Sequence, residues 1–296
     1  KIVNSTSGTN WTAASSTGGI TFGRDIAYGK DGTDSGLWVT VGTGSIIANS
    51  NNGNTWTAAS STGGITSGFG VAYNGTNRWV AVGEGSIIAT STDGNTWNSV
   101  TSLGGSVGGI SAGQRVKYGN NRWVVVGYKV SGTTSIVTST NGINWTAATT
   151  FGGITQGYGV EYNGFDKWIV CGYSSVIAIS TNNGINWSST ASLGGGSGGH
   201  TGYGNIAYNN GIWVAVSPSF IGYSIDGGKF WRNGTGDTDR VYVNQRAGIA
   251  YGNGLWVVVF DGGSIMLTSP NGRNWTAVPT GSLDGFSYGE SVAFKP

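Results

Sequence analysis

Residues 70–97 read GVAYNGTNRWVAVGEGSIIATSTDGNTW, and this stretch decides the fold. Gly70-Val71-Ala72-Tyr73 is a short strand-prone run, closed by the turn pair Asn74-Gly75. Asn and Gly tolerate the positive φ that a tight connection needs. Trp79-Val80-Ala81-Val82-Gly83 is an apolar run too short for a helix, and Ser86-Ile87-Ile88-Ala89-Thr90 is a third strand candidate. A fourth starts at Thr96-Trp97. The stretch therefore predicts four strands, A to D, joined by tight turns. Apolar runs without alternation suit strands covered on both faces.

Working outward, the unit recurs along the whole chain. One tryptophan series stands at Trp11, Trp56, Trp97, Trp145, Trp187, Trp231 and Trp275, with steps of 45, 41, 48, 42, 44 and 44 residues. A second, each followed by Val or Ile, stands at Trp38, Trp79, Trp123, Trp168, Trp213 and Trp256. A period of about 44 residues is the size of one four-stranded propeller blade. Ile2 to Trp11 supplies strands C and D without A and B, and Ser291-Val292-Ala293-Phe294 supplies a lone A. Joining the ends predicts an all-β, seven-bladed β-propeller of four-stranded antiparallel blades. It occupies 1–296 as one domain, its last blade closed by 1–14 and 289–296 and possibly three-stranded. Such closure hides the sheet edges that an open ring would expose.

Composition narrows the classes. The chain has 56 Gly, 4 Pro and only 9% charged residues, against a usual quarter or so. Thirteen Trp, 13 Tyr and 9 Phe supply the apolar area that a disordered chain lacks. The net charge is +2, and the 15 Lys and Arg are scattered, so no basic footprint for nucleic acid exists. No apolar run approaches the roughly 18 residues of a membrane span. Cys171 and His200 are the only cysteine and histidine, which leaves no disulfide framework and no Cys/His metal spacing. No metal or other cofactor is expected. A surface rich in Ser, Thr, Asn and Gly suits an extracellular, cell-surface or virion setting.

The turn between strands C and D carries a resemblance. Ser224-Ile225-Asp226-Gly227-Gly228-Lys229-Phe230-Trp231 has the spacing Ser-x-Asp-x-Gly-x-x-Trp. Ser180, Asn182 and Trp187 keep the same length, and Ser91, Asp93 and Trp97 form a version one residue shorter. The pattern resembles the Asp-box (BNR-like) turn of sialidase- and sortilin-type propellers. The short version also looks like repeat proteins of large DNA viruses and phages. The resemblance implies a structural turn, in which the Asp or Asn oxygen accepts backbone N–H bonds and the Trp packs between blades.

Polar diversity concentrates where the strands A begin, on the face of the D-to-A loops. Aligning those strands places Asp25, Gly70, Arg115, Gly159, Asn205, Gly248 and Ser291 at one position, preceded by Arg24, Phe69, Gln114, Tyr158, Gly204, Ala247 and Glu290. Loops on a rigid scaffold are where function collects. The reading taken forward is a non-catalytic recognition or adhesion propeller at an extracellular or virion surface that binds glycans through this loop face, its partner a glycan or surface protein. Phe22, Phe69, Tyr158, Tyr203, Phe286 and Tyr288 would stack on ligand, while Arg24, Asp25, Gln114, Arg115, Asn205 and Arg246 would hydrogen-bond it. The alternative is a structural or protein-docking subunit of a virion or filament. A third reading is sialidase-like hydrolysis, with Arg24, Arg115 and Arg246 clamping a carboxylate, Tyr158 or Tyr203 as nucleophile and Asp25 or Glu290 as acid. Strong self-similarity and the lack of an Arg-Ile-Pro motif weigh against catalysis.

Overall fold

A computed structural model of the chain describes residues 1–100, 109–129, 134–173, 176–190, 204–217, 220–240, 246–262 and 265–295. A two-residue ladder comes first, β1 (Val3–Asn4) with β2 (Thr12–Ala13). Blade 1 comprises β3 (Ile20–Lys30), β4 (Gly36–Gly44), β5 (Ile47–Ser50) and β6 (Thr57–Ala58). Blade 2 comprises β7 (Gly68–Tyr73), β8 (Trp79–Gly83), β9 (Ile88–Ser91) and β10 (Asn98–Val100). Blade 3 comprises β11 (Ile110–Gly119), β12 (Arg122–Lys129), β13 (Ile136–Ser139) and β14 (Thr146–Ala147). Blade 4 comprises β15 (Gly157–Tyr162), β16 (Trp168–Gly172), β17 (Ile177–Ser180) and β18 (Ser188–Ser189). Blade 5 comprises β19 (Asn205–Asn209), β20 (Ile212–Ser217), β21 (Phe220–Ser224) and β22 (Arg232–Asn233). Then β23 (Thr235–Gly236) pairs in parallel with the outer strand of blade 6. That blade is β24 (Ala247–Gly252), β25 (Leu255–Phe260), β26 (Met266–Ser269) and β27 (Asn274–Ala277).

The described residues thus build a β-propeller of six four-stranded blades, which corrects the expectation of seven. The expectation treated the two chain ends as strands of one blade. An inner-strand sequence becomes a strand only beside a ladder partner, and the segment 291–295 has none, because no strand B lies next to it. The amino-terminal end contributes only the short β1–β2 ladder.

The core lies in layers between neighbouring blades. Val80, Val82 and Ile88 of blade 2 pack on Trp123, Val125 and Val137 of blade 3, and similar layers join each successive pair. Burying each such side chain stabilises the fold by roughly 1.5–3 kcal/mol. Within every blade the tyrosine ending strand A lies on the tryptophan opening strand B, as in Tyr73–Trp79 at 4.8 Å between ring centroids. These pairs add about 0.5–1.5 kcal/mol each beyond their burial.

Candidate functional site

The aligned starts of the inner strands meet around the axis. Neighbours approach so closely that a methyl on Gly70 would lie 2.9 Å from Arg115 Cα, and one on Gly159 2.9 Å from Asn205 Cα. A methyl on Gly248 would lie 2.6 Å from Ser291 Cα. Side chains therefore occupy alternate places: Asp25, Arg115, Asn205 and Ser291, with glycine between. An odd ring of seven places forces one adjacent pair, and there Ser291 Oγ donates to Asp25 Oδ1 at 2.7 Å. The other carboxylate oxygen of Asp25 accepts the Val71 N–H at 3.0 Å.

One residue before each place, the first four blades carry a β-bulge. Gly23 and Asp25 pair with Gly42 and Val41, leaving Arg24 over; Phe69, Gln114 and Tyr158 are left over in the same way. Bulges re-aim side chains, and here they present two consecutive residues to the axis. Opposite each bulge stands a glycine, Gly42, Gly83, Gly127 or Gly172. A Cβ there would run into the backbone carbonyl just before the bulge, that of Phe22, Ser67, Ala112 or Gln156. Blades 5 and 6 pair without a register shift and carry Ser217 and Phe260 instead.

The three arginines do converge, but on the protein's own groups. Arg115, 7% exposed, sends Nη1 to the carbonyls of Phe69 (2.6 Å) and Gln114 (3.0 Å). Its Nη2 reaches those of Arg24 (3.4 Å) and Glu290 (3.5 Å). One guanidinium thereby ties its own inner segment to three others. Arg24 Nη1 lies 3.3 and 3.4 Å from the two oxygens of Glu290, which is 3% exposed. Arg246 Nε lies 3.6 Å from Glu290 Oε2, while its Nη2 donates to Gln114 Oε1 at 2.9 Å. The Phe69 ring lies under both Arg24 and Arg246, at 5.0 and 5.2 Å, and Phe22 flanks Arg24 at 5.4 Å. Arg24 Nε, Arg115 Nε and Gln114 Nε2 are left as buried donors without an acceptor.

Burial pushes the Glu290 carboxyl above the ordinary carboxylate range, against the pull of Arg246, Arg24 and Arg115. Asp261 is a member that sequence reasoning missed. It is buried, its N–H donates to the Arg246 carbonyl at 2.9 Å, and burial raises its carboxyl against Arg24 and Arg246. Strand B of the sixth period ends in Phe260, where the first four periods end in glycine, and Asp261 follows it directly.

The remaining candidates scatter. Tyr158 is buried edge-on against Tyr128, with centroids 5.9 Å apart. Phe286 is core beside Val259, Met266 and Leu283. Tyr288 is exposed, and the Asn205 side-chain oxygen accepts the N–H of Ile206 at 2.9 Å. Tyr203 lies outside the described residues, as does His200. Among the described residues no group of three metal-ligating side chains occurs, and no helix is long and apolar enough to cross a membrane.

The C-to-D turns have the geometry their spacing implies. Asp93 Oδ1 accepts the N–H groups of Asn95 (2.8 Å) and Thr96 (2.7 Å) and the Ser91 hydroxyl (2.8 Å). Asp226 does the same for Lys229, Phe230 and Ser224, and Asn182 for Asn186 and Ser180. Ser91, Ser180 and Ser224 accept from Gly94, Gly184 and Gly228. Trp97, Trp187 and Trp231, all buried, donate Nε1 to the carbonyls of those same glycines.

A second surface was not anticipated. In an antiparallel meander the A-to-B and C-to-D turns fall on the end opposite the D-to-A loops. On that end five large apolar side chains are exposed over three successive blades: Ile143 in blade 3, Phe165 and Ile185 in blade 4, Ile225 and Phe230 in blade 5. Phe165 and Phe230 are 78% and 70% exposed. The backbone at Gly227 lies against Lys167, so the blade 5 turn adjoins the turn that carries Phe165. Sequence offered a cue, since Ile143 and Ile185 stand where the other turns carry Thr9, Asn54, Asn95, Lys229 and Arg273.

No family model matches the sequence, and no curated protein matches it. Solved structures match in fold. YCF48 from Cyanidioschyzon merolae is similar at a TM-score of 0.64 and 16% identity, over 94% of this chain and 91% of that one. A structure of YCF48 bound to D1 peptide matches at 0.59 and 16%, over 90% and 87%. The GH74 enzyme of Niastella koreensis matches at 0.56 and 19%, over 88% of this chain and 38% of that one. Identities this low establish a shared β-propeller fold alone.

Proposed function

We propose that this is a non-catalytic recognition propeller whose partner is a protein, engaged through the face of the A-to-B and C-to-D turns. One observation carries the reading. Five apolar side chains stand exposed over three adjacent blades, and exposed patches of this kind mark interaction sites. The opposite face, where sequence reasoning placed a glycan or substrate site, is occupied by its own ionic network. Its arginines hold Glu290 and backbone carbonyls, Asp25 holds Val71 and Ser291, and Tyr158 and Phe286 are core. Glycoside hydrolysis needs two carboxylates reachable from a substrate, and burial of Glu290 and Asp261 argues against that use. A similar propeller, YCF48, has been seen with a peptide, while another similar one is an enzyme, so fold does not choose between them. The charge-poor, hydroxyl- and amide-rich composition supports an extracellular or virion setting.

The test pairs two variants with two assays. The purified protein is expected to leave a broad glycan array and a fluorogenic glycoside panel blank. Partner binding should be lost in Phe165→Ser/Phe230→Ser and kept in Tyr288→Ala. Saturable glycan binding abolished by Tyr288→Ala, or turnover of any glycoside, would overturn the reading.

A further inference from the structure

The apolar side chains of the turn face occur in step with a second, charged feature. The residue before the strand B tryptophan is Leu37, Arg78, Arg122, Lys167, Ile212 and Leu255 in blades 1 to 6. This place adjoins the C-to-D turn of the next blade. A methyl on Gly94 would meet Leu37 Cδ2 at 2.5 Å, and one on Gly142 would meet Arg78 Cδ at 2.9 Å. One on Gly184 would lie 3.6 Å from Arg122 Cδ, and one on Gly227 would strike Lys167. The place is cationic in blades 2, 3 and 4, and the turns that adjoin it there belong to blades 3, 4 and 5. Those same turns expose Ile143, Ile185, and Ile225 with Phe230. Where the place is Leu37, Ile212 or Leu255, the next turn carries Asn95, Arg273 or Thr9 after its glycine instead.

Neither member of the pair is required by packing. The Arg and Lys stems cover the turn as Leu37 and Leu255 do elsewhere, and Asn54 and Asn95 serve the turn position that Ile143 and Ile185 take. The charges are not consumed within the chain either. Among the described residues Arg78, Arg122 and Lys167 form no salt bridge. Arg122 Nη1 donates to Thr138 Oγ1 at 3.2 Å, while its Nε is a buried donor without an acceptor. All three cations are half-buried, where an unpaired charge is less well solvated than in open water. The acids of these turns are already engaged: Asp226 by the backbone of its own turn, and Asp166 Oδ1 by Asn163 Nδ2 at 3.1 Å. Lys229 adds an exposed cation beside Phe230.

We propose that this arc takes a polypeptide segment in which acidic and bulky apolar residues recur together. Its carboxylates meet Arg78, Arg122 and Lys167, and its apolar side chains cover Ile143, Ile185 and Phe230. Charge complementarity names the acid, because half-buried cations without a counter-charge favour an arriving carboxylate. Repetition names the form, since one pair of groups presented on three consecutive blades suits a single segment that crosses them in turn. The inference rests on the turn face being a protein-docking surface and specifies the chemistry of what docks there.

The probe is a fluorescein-labelled synthetic peptide of repeated Glu-Phe-Ser units, titrated into the intact chain and followed by anisotropy. Repeats of Lys-Phe-Ser and of Glu-Ser-Ser are the controls. Saturable binding of the first is expected, weaker on the order of tenfold or more for either control and falling as salt rises. Arg78→Leu/Arg122→Leu/Lys167→Leu installs the residue that blades 1 and 6 carry at this place. The turns therefore stay packed, and a similar loss of binding is expected. No saturation, equal binding of Lys-Phe-Ser, or undiminished binding by the folded leucine variant overturns the proposal. Binding to phosphatidylserine vesicles in place of the peptide also overturns it, by making the partner a lipid surface. A protein cross-link from position 230 that survives in the leucine variant would overturn the acidic segment and leave the docking face standing. The absence of any protein cross-link there would instead fail the docking face itself.

Discussion

Ser291 Oγ donates to Asp25 Oδ1 at 2.7 Å, a bond between residues 266 positions apart. It fastens the last inner segment to the first strand of blade 1, at the one place where two side chains meet instead of a side chain and a glycine. Asp25→Ala removes this bond and also orphans the Val71 N–H. Urea unfolding should show a loss of about 1–3 kcal/mol for Asp25→Ala and about 1 kcal/mol or less for Ser291→Ala. Equal losses would mean that Val71 finds another acceptor.

Glu290 is the acceptor on which Arg24 and Arg246 depend. Removing one partner of a buried ion pair leaves the others uncompensated, which costs about 3–5 kcal/mol. Glu290→Ala should fall in that range. Glu290→Gln should cost less, because the amide oxygen still accepts from one arginine. A neutral outcome for Glu290→Ala, measured by denaturant midpoint at constant slope, would show that the network contributes little to closure.

Acid should weaken the C-to-D turns selectively. Burial pushes the carboxyls of Asp93 and Asp226 up, yet hydrogen bonds to them outweigh it, chiefly from the Thr96 N–H in one and the Phe230 N–H in the other. Both lie below the ordinary 3.8. A depressed folded value means stabilisation that is complete above the unfolded value and lost as pH falls through the folded one. Melting temperatures of the wild type and Asp93→Asn/Asp226→Asn, compared from pH 7 to pH 2, should therefore converge or cross below about pH 4. A constant offset across that range would contradict the assignment.

Tryptophans of strand B should not be equivalent. Trp79→Ala empties a fully buried site and is expected to cost about 3–5 kcal/mol. Trp38 is only half-buried, and Trp38→Ala should cost clearly less. Equal costs would indicate that Trp38 is as well covered as Trp79.

Much of the fold was legible because each strand is specified locally. The tryptophan spacing, the Asn-Gly turns and the run Trp-Val-x-Val locate the blades without any knowledge of pairing. The blade count was not legible, because Ser291-Val292-Ala293-Phe294 has inner-strand residues but no partner to form a ladder with. Alignment brought Arg24, Arg115 and Arg246 to one end of the ring. It could not show that their target is Glu290, since that depends on where bulged side chains point. Asp261 was passed over because it directly follows a strand B, ending at Phe260, that reads as core. The apolar face escaped notice because Ile143 and Ile185 sit inside an otherwise faithful repeat, where one polar-to-apolar change alters no secondary-structure signal and decides the surface.

The most direct measurement places a photo-cross-linking residue at position 230 on the turn face and, separately, at position 288 on the loop face, each exposed to an extract of the source organism. The account predicts a discrete protein adduct from position 230, lost when Ile225→Asp is added, and none from position 288. Adducts confined to position 288, or none from position 230 while the protein is folded, would contradict it.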